Sequence, residues 1–278
     1  MLPSLLQAER LPMSGDEVVV CAMALGAAVL AWFRWYRPLF STPRLGPSRR
    51  GRAWLAVAPP LGALILVAVL TTVAAHDVVN DLRYVLMYLA LGAAWVGLAV
   101  WPLPIVGMSP RDDVVERGNA AAAPPSAAAV VALTLCFAGG NIGDGPGWWV
   151  VVFSAALATV GLFAAWLALD AVAVASDAVT IERDAAAGLR VAGFLVACGL
   201  VLGRAVAGDW VSVGATILDA LRIAAPLVGL IAFAAVLERA ARPTPERPEP
   251  PVGALGVGPA FAYVAAAAAY VAWLGLPP

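Results

Sequence analysis

Apolar residues fall into eight long runs along this chain, separated by short polar stretches, at 18–36, 54–75, 84–103, 122–141, 148–170, 187–207, 212–237 and 253–275. Each run holds about 18 to 25 residues, enough for a helix to cross a hydrocarbon core of ~30 Å. The first 17 residues lack the basic start and small-residue cleavage site of a signal peptide, so the first run is expected to stay as a helix.

The polar positions repeat. Residues 84–144 moved forward by 65 positions land on 149–209 without a gap. Trp101 then falls on Trp166, Asp112 on Asp177, Asn119 on Asp184, and Gly143-Asp144 on Gly208-Asp209. Trp, Asp and Gly are scarcer than the surrounding Ala and Val, which makes duplication the natural origin. Runs starting near 18, 84, 149 and 213 are spaced by 66, 65 and 64 residues and extend the pattern to four hairpins. A two-helix unit restores its starting orientation, so the repeats are parallel, about an axis along the membrane normal. The expected fold is all-α: a compact polytopic bundle of about eight transmembrane helices in four two-helix repeats of about 65 residues. Its parts are an N-terminal tail and diverged hairpin at 1–83, a duplicated core at 84–210 and a last diverged hairpin at 211–278.

Composition agrees with this class. Hydrophobic residues make up 62% and charged residues 13%, against ~25% charged in a soluble domain. All 17 basic residues are Arg, which reads as a bias toward GC-rich codons. Arg37, Arg44, Arg49, Arg50 and Arg52 follow the first run, and each second loop after that is basic: Arg111 and Arg117, then Arg183 and Arg190, then Arg239, Arg242 and Arg247. The other side has Arg10, Arg83 and Arg204. The positive-inside rule makes the arginine-rich loops cytoplasmic and both termini external, in a bacterial inner membrane. The same arginines invite anionic lipid headgroups at Arg44, Arg49, Arg50 and Arg52, although fixing topology suffices to explain them. The 242–251 segment, RPTPERPEPP, reads as a proline-stiffened linker.

In VVERGNAAAA at 114–123 and VTIERDAAAG at 179–188, Asn119 and Asp184 stand just before an alanine run. Their side-chain oxygens can accept from first-turn amides, as helix N-caps do. Pro124-Pro125 departs from the pattern and predicts a later start, or a kink, in the fourth helix. The segment 84–210, with its paired hairpins and its Asn/Asp-Ala-Ala openings at 119–121 and 184–186, resembles the YjfL-like small bacterial inner-membrane proteins. That resemblance implies location and a paired-hairpin fold, and supplies no catalytic residue.

Several chemistries lack their residues. His76 is the one histidine, so bis-histidine haem and HExxH zinc are absent. There is no GxxxxGK[ST], no GxGxxG after a strand and no GxSxG turn, and NIGDGPG resembles a phosphate loop only superficially. Cys21, Cys136 and Cys198 follow no CxxC spacing and read as buried, inert thiols. Neither an enzyme, a cofactor, a metal nor nucleic acid is expected. Candidate polar sites are two. His76, Asp77, Asp81, Asp144 and Asp209 gather in external turns; a ring of Asp can build a cation-selective mouth, and short turns favour Asp for backbone reasons as well. Asp219 and Arg222 lie three apart inside an apolar run, with Arg222 ~15 Å deep, and form either a buried structural bridge or the charged lining of a solute path. The functional expectation is a passive channel or transporter for a cation or small solute, alternatively a non-catalytic scaffold or accessory subunit of a larger membrane complex. Partners are the bilayer, other membrane proteins or further copies of this chain.

The arginine asymmetry generates a topology test. Cysteine probes at Ser14 and Pro278 should be labelled from outside intact cells and one at Ser48 should be protected; labelling at Ser48 would invert the assignment.

Overall fold

The computed structural model describes residues 13–41, 49–243 and 250–277. Helices α1 (Gly15–Ser41) and α2 (Arg49–Thr72) are followed by a one-turn α3 (His76–Val79) and by α4 (Leu82–Ala99). Short tight and wide turns at Leu103–Val106, Pro110–Glu116 and Ala120–Ala122 lead into α5 (Ala123–Gly139). Then come α6 (Trp148–Ala173), the short α7 (Ala175–Thr180), α8 (Ala185–Ala205), α9 (Val213–Ala224), α10 (Pro226–Ala240) and α11 (Gly258–Leu274), the last preceded by a π-turn at Gly253–Val257. There is no strand among the described residues.

Seven helices are long and apolar enough to cross a membrane, and α9 with α10 make an eighth if that bent pair is one span. These are the eight runs read from the sequence, with ends shifted by a few residues. Two breaks have their reasons in proline. Pro226 opens α10 after a bend of 41°. The Arg222 carbonyl, which Pro226 cannot serve, accepts instead from the Ala225 N–H at 3.4 Å. Pro124 and Pro125 sit in the first turn of α5, where a missing N–H costs nothing, and the chain reaches them through the tight turn at Ala120–Ala122.

α5 and α8 form the centre, with 83% and 72% of their spans buried against 22% for α1 and 17% for α11. Their backbones touch. A Cβ on Gly139 would stand 2.0 Å from the Gly203 carbonyl oxygen, one on Gly203 2.5 Å from that of Leu135, and one on Gly188 2.1 Å from that of Ala121. Lipid gives no hydrophobic drive between helices, so close packing of small residues is what holds them. α2 packs on the far side of α5 and α11 on the far side of α8, where Gly193 meets Ala260. α2, α5, α8 and α11 therefore stand in one row, flanked by the other long helices, α1 against α4 and α10 against α6.

Four hydrogen bonds between helices or their adjoining turns span similar sequence distances. Trp32 Nε1 donates to the Ala93 carbonyl, Trp95 Nε1 to Thr159 Oγ1, Asn119 Nδ2 to the Val179 carbonyl and Arg190 Nη1 to the Leu255 carbonyl, at separations of 61, 64, 60 and 65 residues. Local backbone bonds also recur at the 65-residue offset: Asn119 N–H to the Asp113 carbonyl and Asp184 N–H to that of Ala178, Arg117 N–H to Asp112 and Glu182 N–H to Asp177. Trp101 and Trp166 do not share an environment, since Trp166 is fully buried in α6 while Trp101 is half exposed after α4.

The seam predicts a contrast between two identical substitutions. Gly139→Ala should lower stability by about 1–3 kcal/mol, because the carbonyl it meets is backbone and cannot swing away. Gly229→Ala on α10 has nothing within 4 Å and should leave stability equal or slightly higher. Thermal unfolding in one detergent compares them, and equal midpoints would remove the seam from the centre of the fold.

Candidate functional site

The five polar residues of the 76–81, 141–147 and 206–212 turns lie at one end of the helices and are mostly engaged in building it. Asp81 caps α4 by accepting from the Arg83 N–H, and its carboxylate is paired with the Arg83 guanidinium. The His76 N–H donates to Asp144 Oδ1 at 3.1 Å, and the Asp144 N–H donates to Asp209 Oδ1 at 2.8 Å. The carboxylates thus stitch one turn to the next. Only Asp77 and Asp144 border a common space, a cavity of about 50 Å³ shared with Glu17 and Asn141. The Asn141 Oδ1 is buried without a hydrogen-bond partner among the described residues. That volume suits a water molecule or two, which would satisfy the atom. No group of three metal-binding side chains occurs among the described residues.

At the other end, Asn119 and Asp184 are the caps their sequence pattern predicts. Asn119 Oδ1 accepts from the Ala121 N–H at 3.0 Å and Asp184 Oδ1 from the Ala186 N–H at 2.8 Å. Beside Asp184 lies a group that sequence reasoning missed. Arg190, 1% exposed, forms a two-pronged pair with Glu238 at 2.8 and 2.7 Å, lies 3.7 Å from Asp184 Oδ2 and donates to the Leu255 carbonyl at 2.6 Å. α8, α10 and the π-turn before α11 are joined at this one guanidinium. Arg190 sits in the second turn of α8, about 7 Å from its start. Asp184 Oδ2 and the Tyr263 hydroxyl of α11 are buried without a hydrogen-bond partner among the described residues. A signal for this cluster exists in the sequence: Arg190 falls three residues inside the apolar run 187–207, where a charge needs a partner. Glu238 is 48 positions away, and nothing local connects the two.

Asp219 and Arg222 do form a pair, at 3.7 Å, but not a buried one. Their side chains are 62% and 68% exposed. The expectation of a buried bridge is corrected by the rotation of α9: Ala220 faces the bundle, and Leu218, Asp219, Leu221 and Arg222 face outward. Arg52 donates to the carbonyls of Leu39 and Val115. Arg44 and the side chains of Arg49 and Arg50 lie outside the described residues. An open cleft of about 780 Å³ lies close by, between the ends of α1 and α4 and the 109–115 segment, with Arg34, Arg37 and Arg111 in its lining. Cys136 and Cys198 are buried free thiols and Cys21 a partly exposed one.

Compared with family profiles, curated proteins and solved structures, the chain finds no match in any of the three.

The Arg190–Glu238 pair predicts a reversible loss of stability. Glu238→Ala leaves a buried guanidinium uncompensated and should cost about 3–5 kcal/mol, whereas Arg190→Met with Glu238→Leu should recover most of it. A double variant no more stable than Glu238→Ala, read by thermal unfolding, would show that the pair is not the source of the loss.

Proposed function

We propose that the protein is a non-catalytic scaffold or accessory subunit of a membrane assembly, docked to its partner along the outward face of α9 and α10. The carrying observation is the exposed Asp219–Arg222 pair. It stands some 10–15 Å from the start of α9, within a helix otherwise apolar on that face. A charged side chain near mid-bilayer costs at least ~2.5 kcal/mol on insertion scales unless paired or hydrated. A weak contact at 3.7 Å, open to its surroundings, offsets little of that. A neighbouring helix offering polar groups at the same depth removes the cost. The filled interior supports the same reading: where a conduit would run between α5 and α8, glycine backbones are in contact.

A passive channel or transporter for a cation or small solute is the second reading, and it draws on Arg190, Glu238, Asp184 and Tyr263, since buried ionisable groups mark proton and ion paths in membrane proteins. In either case we place the chain in a bacterial inner membrane with both termini outside, on the arginine asymmetry. We infer that it arose by duplication of a hairpin of about 65 residues. The offset matches in sequence and the backbone bonds recurring at that offset support this. Membership of the YjfL-like proteins is proposed on residues 84–210 alone.

Two measurements separate the readings. A photo-cross-linking residue at Leu218 should give a discrete adduct in native membranes, and one at Val160, exposed on α6, should give none. Purified protein in liposomes should pass no Na⁺, K⁺ or protons beyond empty vesicles. Flux that Glu238→Gln abolishes, with no adduct at Leu218, would overturn the scaffold in favour of transport.

A further inference from the structure

The cleft between α1 and α4 has two chemically distinct parts. One wall is apolar, with Phe33, Trp101 and Pro104 exposed in it and Leu39, Leu55 and Val100 buried beneath. Its rim is cationic, three arginines against one acid, Asp112. The acid is already engaged, since Asp112 Oδ2 accepts from Ser109 Oγ at 2.8 Å, and Arg111 is held at 2.9 Å by Glu116. Arg34 and Arg37 are different. They stand one turn apart on the same face of α1, where like charges repel. The Arg34 guanidinium lies over the Trp101 ring at 5.2 Å, and neither arginine has a carboxylate partner among the described residues. Arg34 is also only seven residues from the end of α1, about 10 Å, which is the depth at which a helix leaves hydrocarbon for headgroups.

We propose that this cleft binds one anionic phospholipid, its phosphate held between Arg34 and Arg37 and an acyl chain laid against the exposed Phe33, Trp101 and Pro104. A phosphate answers both unpaired guanidinium groups at once and offers several oxygens to their forked donors. The volume, about 780 Å³, exceeds what a headgroup fills, and the apolar wall has use only for a ligand that carries a chain. A soluble anion would leave that wall wet. This inference stands apart from the α9 docking face and holds or fails without it.

The test uses purified full-length protein in nanodiscs of equal phosphatidylglycerol and phosphatidylcholine, with retained lipid counted by native mass spectrometry. One phosphatidylglycerol should be retained in preference to phosphatidylcholine. Arg37→Gln should lower that preference about fivefold, and Arg34→Gln with Arg37→Gln further, while Arg183→Gln, an exposed arginine outside the cleft, should leave it unchanged. Both cleft positions are exposed, so the variants keep the packed core, and Arg37→Gln alone serves if the double variant is lost. Equal retention of the two lipids, or equal loss with Arg183→Gln, would overturn the site. Displacement of the lipid by millimolar inorganic phosphate would also overturn it, by showing a site for a free anion.

Discussion

Lipid tails are as apolar as leucine, so a helix in a bilayer gains nothing by turning an apolar side chain toward another helix. What remains is contact distance, and the α5–α8 seam is where this chain obtains it. Gly139, Gly188 and Gly203 let carbonyl oxygens approach positions that any side chain would occupy. α2 and α11 then pack against the outer sides of that pair, and the other long helices flank the row. The burial gradient follows from this order, with the two central spans enclosed and the terminal ones largely open to lipid.

Arginine also closes the ends of helices here. Several guanidinium groups end on the carbonyls that terminate other helices, where unsatisfied acceptors and the negative pole of the helix dipole coincide. Arg242 donates to the carbonyls of Ala173 and Val174 and Arg239 to that of Val172, closing the end of α6. Arg52 reaches Leu39 near the end of α1, and Arg204 reaches Gly275 after α11. A guanidinium has five donors in a plane and can serve two carbonyls at once, which a lysine ammonium does less well. Arg190 is the extreme case, fully enclosed and joined to two carboxylates and a carbonyl.

The helices were legible because hydropathy alone decides whether a run of residues can span a bilayer, and all eight runs became helical. The caps were legible too, since Asn119 and Asp184 bond within two residues of themselves. Proline effects are equally local, and the late start of α5 followed. The Arg190–Glu238 pair was not legible, because pairing across 48 residues depends on how α8 and α10 lie together. The exposure of Asp219 and Arg222 was missed for the same reason. Spacing places two residues on one face of a helix, while only packing says which way that face looks.

The sequence distance spanned by the long-range links bears on how the chain is made. Trp32, Ala75, His76, Trp95, Asn119, Asp144, Arg190 and Arg204 each donate to an acceptor lying 60 to 71 residues further along. A ribosome adds roughly 5–20 residues per second, so each of these donors emerges on the order of 3 to 14 seconds before its acceptor. During that interval it must be served by water, lipid headgroups or the insertion machinery. Other links run the opposite way, with the Gly208 and Trp210 N–H groups donating back to Ile142 and Asp144 and Arg239 and Arg242 to the end of α6, so a chain stalled partway would leave both donors and acceptors unmet along the edge of its newest helices.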